Sequence, residues 1–587
     1  MDKDKRILII GAGVFGLSTA LELTRRGYSN VIVLDRHAPP VPDGSSVDIS
    51  RIVRPDYADP FYARMGMEAL AGWQKDFSQF FHRSGLLCAQ SGTEFGHTYL
   101  KEAKTNLENI GAEVNLWAYT GQEASQRYPG IHGDLSLTSG YCNLDAGWVD
   151  AGKSIEHLAS LCEEAGVTFL VGQDSTVVDL VTTRSDGRKT ITAVRTANGE
   201  VLDADTVIIA TGAWTPHLIR AGNRFISTGQ PVGYMQLTPQ EAEEMRGNPV
   251  MINLSTGWFA FPPTQNDNIL KMARHGYGFE TTHTSHSAQY SAPNLASQAD
   301  YLPVDAEQAL RDGLALFLPK FKDRAFSRTK LCWFTDTPKG DFIVDYHPEY
   351  TNLFLATGGS GHAFKFLPIL GRYVVDNFEG TATEEQKEKW RWSENATPLM
   401  PGDGSRSGPP RRTLTAEEQS RLKESRSLHS QSSFASPIED VISRVFESLL
   451  DAPPFPISAV VHLELCVHLL PFVPWLSRYS FVFAKEVHDF NHDFKIFVGF
   501  FNRLRTLDVV GVLTEKINPG LDLCRVAIDY LCLVHEVGES PRDVDGFGDK
   551  VEVRHEGISG LRRSPVELGV RGEQLRHSCT RSRIGRR

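Results

Sequence analysis

Near its start the chain carries Gly11-x-Gly13-x-x-Gly16 behind a short apolar run, and an acid, Asp35, follows roughly 20 residues on. In such a spacing the first glycine permits a tight turn and the second lets backbone amides approach a pyrophosphate. The third lets helix and strand pack closely, and the acid can accept from a ribose hydroxyl. Val14 and Phe15 complete the loop. The pattern predicts a dinucleotide site and by itself leaves FAD and NAD open. Other chemistry-bearing runs lie far apart: Gly44-Ser-Ser-Val-Asp-Ile-Ser-Arg51-Ile-Val-Arg54, Lys271 with His275, Cys332 inside Lys330-Leu-Cys-Trp-Phe-Thr-Asp-Thr-Pro338, and Gly359-Ser-Gly361-His-Ala-Phe-Lys365. By residue type alone, two arginines three apart are a solvated face or an anion clamp. A strand lysine is most often a surface charge, and an isolated cysteine a small buried hydrophobe.

The elements that must position these residues are legible around them. Arg6–Ile10 suits a buried parallel strand. A helical pattern through Leu17, Ala20, Leu21 and Leu23 follows and stops at Arg25-Arg26-Gly27, where cations and a glycine favour a helix end. Val31–Leu34 is a second strand ending at Asp35. Two later segments repeat part of this order. Asp205–Ala210 runs into Thr211-Gly212, and Asn352–Thr357 runs into Gly358–Gly361 and a helical stretch through Phe366, Ile369 and Tyr373. Ligands of open parallel sheets sit at the carboxyl ends of the strands. One nucleotide-binding domain assembled from discontinuous pieces is therefore expected, with the intervening segments forming a second domain that closes over the site.

The 587 residues carry 61 basic and 72 acidic side chains, a net charge of −11. That balance argues against a general nucleic-acid binder, which needs a basic face. At 41% hydrophobic and 23% charged the composition is globular. Eight cysteines without a CxxC pair argue against a disulfide scaffold or thiolate zinc site and fit a reducing compartment. No metal site is assigned: His488 and His492 stand four apart without a third ligand. The apolar start lacks a cleavage site and is broken by glycines, so it reads as a mature N-terminus and not as a signal peptide. Residues 395–436 read as an exposed or disordered linker. Beyond them, Ile438 to Leu449 keep helical spacing. Phe455–Leu476 is apolar over a membrane-spanning length but carries Glu464, two histidines and three prolines, which favours core over a span. The remainder to Arg587 lacks a consistent period and ends Arg-rich. A poorly ordered extension from a read-through or mis-spliced gene model is expected there in preference to a further domain.

The four internal runs resemble the FAD-dependent amine oxidases, the family of monomeric sarcosine oxidase, pipecolate and saccharopine oxidases and fructosyl amino acid oxidases (amadoriases), over about residues 4–385. The family pattern is a cysteine in a C-[YW]-x-x-T-x-[TS]-P-like run followed by SGHxFK. The resemblance implies an α/β fold with a discontinuous Rossmann-like FAD domain (about 4–85, 150–220 and 325–385) and a substrate domain with a mixed or antiparallel sheet (about 86–149 and 221–324). It implies FAD held by Gly11, Gly13, Val14, Phe15, Gly16, Asp35, Ser45, Ser46, Ser50, Arg51, Val177, Gly212, Gly359, Gly361, His362, Phe364 and Lys365, and joined covalently through Cys332. It implies a substrate carboxylate held by Arg54 and Lys365, with Lys271, Arg51 and His275 as catalytic residues and Lys271 activating O₂. The implied reaction is oxidation of the C–N bond of a secondary amino acid to an imine, with H₂O₂ as second product. The chain is expected to act as a monomer on a small molecule, in the cytoplasm or peroxisome. Gly359 and Ala363 depart from the sarcosine-type GFSGHGFK and from the amadoriase Asp-Ser-Gly-His, and the pipecolate/saccharopine branch looks most similar. A dehydrogenase passing electrons to a carrier, or a flavin-retaining protein without catalysis, is the alternative.

Overall fold

The structure, a computed structural model, describes residues 2–92, 94–110, 115–185, 188–219, 222–285, 288–295, 300–423, 482–487 and 494–499. Two compact units divide the chain at residues 440 and 441. In the second, the described residues are an antiparallel strand pair, Val482–Val487 with Phe494–Gly499. The helix expected over 438–449, the apolar run 455–476 and the pair His488/His492 lie outside the described residues.

The first unit is mixed α/β and is built on two large sheets. One runs Ile343–Tyr346, Leu353–Thr357, Thr206–Ile209, Ile7–Ile10, Val31–Asp35, Thr168–Val171. Every neighbouring pair in it is parallel except the first. Ile7 to Ile10 are all buried, because strands covered on both faces admit no polar alternation. The helix Val14–Arg25 leaves the first strand through the glycine turn. Gly11 has φ +112°, which favours glycine, and a Cβ at Gly16 would stand 1.8 Å from the Gly11 carbonyl oxygen. The helix Leu367–Glu379 crosses it so closely that a Cβ at Gly371 would stand 2.1 Å from the Ser18 carbonyl oxygen. Each large apolar side chain buried in this way contributes about 1.5–3 kcal/mol.

The second sheet has ten strands and is mostly antiparallel. Its centre is the strand Ile226–Gln236, paired with Ile269–Arg274 on one side and Arg328–Asp336 on the other. The segment around Cys332, expected in a piece of the FAD domain, is thus a strand of this second sheet. The apolar run Leu331 and Trp333 looks inward on that sheet and not on the parallel one. A small three-stranded sheet, Arg51–Val53, Gly147–Val149 and Phe81–His82, carries the first arginine of the pair.

The expected linker needs correction over its first part. Residues 395–423 lie against the rest of the first unit. Thr397, Ser405, Arg406 and Arg411 are buried, Arg412–Thr413 pairs with Phe279–Glu280, and Ala416–Arg421 is a helix with a capping box from Thr415. The segment is polar yet buried, because its partners are charges. Arg406 donates to both oxygens of buried Asp336 at 2.6 and 2.5 Å and to the Ser360 carbonyl at 2.8 Å. A chain ended at Leu428 therefore keeps this ion pair. One ended at Glu394 leaves Asp336 buried without its cation, which costs about 3–5 kcal/mol. Thermal melts of the two chains check this, and equal stability would refute the role given to Arg406.

Candidate functional site

At the carboxyl ends of the parallel strands lies a cleft with about 1300 Å³ of space between protein atoms, part of it open to solvent. Its walls include Gly11, Gly13, Val14, Phe15, Asp35, Ser45, Ser46, Arg51, Val177, Gly212, Gly359, Gly361, His362 and Phe364. These come from sequence positions more than 300 apart and are brought together by the strand order. Gly16, Ser50, Arg54, Lys271, His275, Cys332 and Lys365 are not among its walls. Gly16 is spent on helix–strand packing, and Cys332 lines a second cavity together with Asp48 and Lys330.

The cleft fits an extended dinucleotide. A Cβ at Gly13 would come within 3.1 Å of Ser46 Oγ, so the loop leaves its backbone bare for a ligand. The N-terminus of the Val14–Arg25 helix points its amides there, with Gly13 as a cap that makes no side-chain hydrogen bond. Val14 N donates to Ser46 Oγ at 2.9 Å, and Ala12 N to Asp35 Oδ2 at 2.8 Å. Burial pushes the Asp35 carboxyl above its usual range, against the amides of Ala12 and His37. Arg36 lies over the Trp214 ring, 4.4 Å from its centroid, at the far wall.

Asp48, three residues before Arg51 in the same run, is the electrostatic hub behind that arginine. Its side chain is fully buried. Arg51 Nη1 is 2.9 Å away, Lys271 Nζ 3.1 Å and Lys330 Nζ 3.5 Å, and the Tyr234 hydroxyl donates to it at 2.7 Å. The register explains the meeting: Lys271 pairs with Tyr234 across the sheet and Lys330 with Val232, so their side chains share one face. Cys332 is on the same face, and Arg51 Nη2 stands 3.8 Å from its sulfur. Burial opposes the Asp48 charge, yet the three cations hold the carboxyl well below its usual range. Burial pulls Lys271 down to about 7, against the pull of Asp48, and its Nζ also donates to the Ser50 carbonyl at 2.6 Å. Ser45 Oγ donates to the Trp333 carbonyl, and Arg51 Nη2 to the Ser45 carbonyl at 2.7 Å. Two strands of different sheets are thereby locked together.

A second cluster surrounds Arg54. This arginine is buried, with its guanidinium 5.0 Å from the Tyr57 ring centroid and 3.4 Å from the Tyr99 hydroxyl. Among the described residues no carboxylate pairs with it. Lys365 Nζ donates to the Tyr57 hydroxyl at 2.8 Å and to the His362 carbonyl at 3.1 Å. Burial, and then Arg54, push Lys365 well below the usual lysine range. His362 Nε2 stands 2.8 Å from the Gly340 carbonyl, which only accepts, so Nε2 carries the proton and Nδ1 accepts from Tyr57 at 2.9 Å. Two buried basic side chains, influenced by Asp56 and Asp403 but with no carboxylate in ion-pair contact among the described residues, form a receptor for an anion, since each pays desolvation that a bound carboxylate would offset. Tyr57, which follows Arg54 by three residues, carries no sequence signal that would have singled it out.

His275 follows the strand that carries Lys271 and meets residues of the 395–423 segment: its Nε2 is 3.2 Å from Ser405 Oγ. Burial, and then Arg406, hold His275 well below its usual range, so the ring is neutral near pH 7.

Comparison with known proteins agrees with this geometry. The family described as "FAD dependent oxidoreductase" matches residues 6–377. The L-saccharopine oxidase of Schizosaccharomyces pombe is 33% identical over 410 residues, spanning 67% of this chain and 94% of that protein. The monomeric sarcosine oxidase of an Arthrobacter species is 25% identical over 378 residues, spanning 63% of this chain and 91% of that one. Among solved structures, the fructosamine oxidase Amadoriase II of Aspergillus fumigatus superposes with a TM-score of 0.63 at 27% identity. It covers 72% of this chain and 97% of its own.

Proposed function

The chain belongs to the FAD dependent oxidoreductase family, and from that premise we propose how its residues divide the work of a flavin oxidase acting on the C–N bond of secondary amino acids. FAD, when bound, supplies the hydride acceptor and then returns the electrons to O₂, giving H₂O₂. The glycine loop and the helix N-terminus at Val14 hold its pyrophosphate, and Asp35 orients a ribose. Cys332 holds the flavin covalently, supported by its place on the sheet face beside Arg51. Arg54 and Lys365 bind the substrate carboxylate and so fix the amine-bearing carbon. His275 takes the proton that the amine must lose. Lys271 and Arg51 supply positive charge where O₂ is reduced, and Asp48 holds both in place.

The observation that carries this reading is the pair of buried basic side chains, Arg54 and Lys365, each 5.0 Å from the Tyr57 ring centroid. N-substituted amino acids of the saccharopine and pipecolate type are the favoured substrates, given the similarity to L-saccharopine oxidase over 94% of that protein. The four described cysteines are buried and free, in keeping with a reducing compartment such as cytoplasm or peroxisome. Among the described residues no helix is long and apolar enough to cross a membrane. The protein acts as a monomer in this reading.

The test is anaerobic bleaching of the flavin by saccharopine, pipecolate, sarcosine and fructosyl amino acids, followed by oxygen uptake. Peroxide release separates an oxidase from a dehydrogenase, and a flavin that none of these amines bleaches would remove catalysis altogether. Arg54→Ala and Lys365→Ala are each expected to weaken binding of carboxylate inhibitors by roughly 1.5–3 kcal/mol, the worth of a charged hydrogen bond. Inhibitors that bind both variants as tightly as the parent protein would move the carboxylate site elsewhere.

A further inference from the structure

The 395–423 segment lies beyond residues 6–377 matched by the family, and it brings two side chains to His275. Ser405 Oγ donates to Asp403 Oδ1 at 2.5 Å, and the Ser405 amide donates to the same oxygen at 2.9 Å. The hydroxyl has one proton and spends it on the carboxylate. Toward His275 Nε2, 3.2 Å away, Ser405 can therefore only accept. That fixes the tautomer: Nε2 carries hydrogen, and Nδ1 presents a lone pair to which nothing among the described residues donates. The chain Asp403, Ser405, His275 has the order of a carboxylate that orients an imidazole, with a hydroxyl interposed.

We propose that Asp403 and Ser405 are positioning residues that hold His275 in its Nε2–H tautomer, so that Nδ1 accepts the proton of the substrate ammonium before C–N oxidation. This rests on the proposed role of His275 as the proton acceptor. In the step, the N–H bond of the ammonium breaks and an N–H bond forms at Nδ1. The lone pair left on nitrogen then assists departure of hydride from the adjacent carbon. The imidazolium's second N–H, at Nε2, is held by Ser405, and its charge is balanced by the Asp403 carboxylate. A secondary amino acid is mostly protonated on nitrogen at neutral pH, so a site that binds it needs such an acceptor.

Burial is the largest influence on His275 and lowers its basicity, so the carboxylate of Asp403 is what works in the opposite direction. Arg406, Arg54 and His362 lower its basicity, and Asp403 raises it. Asp403 is ionised across the physiological range: burial pushes its carboxyl up, but His362, Ser405 and His275 bring it to about 2. It is the single acid among those neighbours, and it also acts on Lys365 and Tyr57 of the carboxylate receptor.

The substitution that tests this is Asp403→Asn. An amide can donate to Ser405 Oγ, which turns the hydroxyl proton toward His275 Nε2 and moves the ring proton to Nδ1, where the acceptor should be. Flavin reduction by substrate at pH 7 is then expected to slow about 10–100-fold, within the range of general-base contributions. Its acid limb is expected to move to higher pH, because only free amine from solution then reacts. FAD content and the rate of reoxidation by O₂ stay as in the parent protein, since Lys271 and Arg51 are untouched. Ser405→Ala, which deletes one hydroxyl, gives the same upward shift, and Asp403→Glu recovers part of the rate. His275→Gln separates the two levels of the claim. If it slows reduction while Asp403→Asn and Ser405→Ala keep the parental rate and pH profile, the relay is refuted and His275 stands. If His275→Gln reduces normally, both are refuted. A uniform loss of FAD content and of both half-reactions without a pH shift would make the pair structural and overturn the proposal.

Discussion

Lys271→Met slows reoxidation of the substrate-reduced protein by O₂ about 10²–10³-fold and leaves reduction by substrate nearly unchanged, since removing one preorganised charge costs that much. The ammonium is fully enclosed, with Asp48 at 3.1 Å and the Phe261 ring centroid at 4.8 Å. In so dry a site a charge acts on the developing superoxide with little screening. The pH dependence has a definite sign. Lys271 is charged below its pKa, which burial brings to about 7 and an anionic neighbour raises. Reoxidation in the parent protein therefore loses its assistance as pH rises through and above 7, and in Lys271→Met that limb disappears. Stopped-flow mixing of anaerobically reduced protein with O₂ over pH 6–10, an interval of roughly four units around that value, reads both effects. Normal reoxidation in the variant would take Lys271 out of the mechanism.

Cys332→Ala abolishes covalent flavin retention. Acid-precipitated parent protein keeps its yellow colour in the pellet, and a peptide containing Cys332 carries the added flavin mass; the variant releases all its flavin to the supernatant. Three observations motivate this. The sulfur is buried on the sheet face that also holds Tyr234 and Lys271, Arg51 approaches it at 3.8 Å, and Trp333 beside it is a wall of the FAD cleft. The variant retains part of its FAD without a bond, because the glycine loop and Asp35 are unaffected. Flavin freed from fully loaded parent protein on acid treatment would end the covalent assignment and leave the rest of the site as it is.

Local order dictated much of this molecule. The glycine triplet, the flanking apolar runs and Asp35 needed only neighbours in sequence to specify strand, turn and helix. The observed elements, Ile7–Ile10, Val14–Arg25 and Val31–Asp35, follow the expected boundaries closely. Short motifs likewise marked Arg51, Arg54, Lys271, Cys332 and Lys365, since each sits in a run whose residue types are unusual together. The partners of these residues were not legible. Asp48 stands three residues before Arg51, but one acid in a loop says nothing of the two lysines that meet it from other strands. Tyr57 became visible only when the fold set it between Arg54 and Lys365.

The segment from 395 shows the limit most clearly. Its Gly, Pro, Ser and Arg content reads as solvent-exposed because hydrophobic periodicity is the sequence's main report of burial. Here burial is achieved by ion pairing, and pairing depends on charges supplied by residues about 70 to 130 positions away, Asp336 and His275. The sequence by itself determined the dinucleotide turn, the parallel strands and the motif residues, because those depend on contacts within a few positions. Which sheet carries Cys332, which carboxylate neutralises Lys271 and which residues orient His275 were decided by tertiary structure alone. A buried charge is stabilised by whatever opposite charge the fold brings within a few ångströms, whatever its place in the chain.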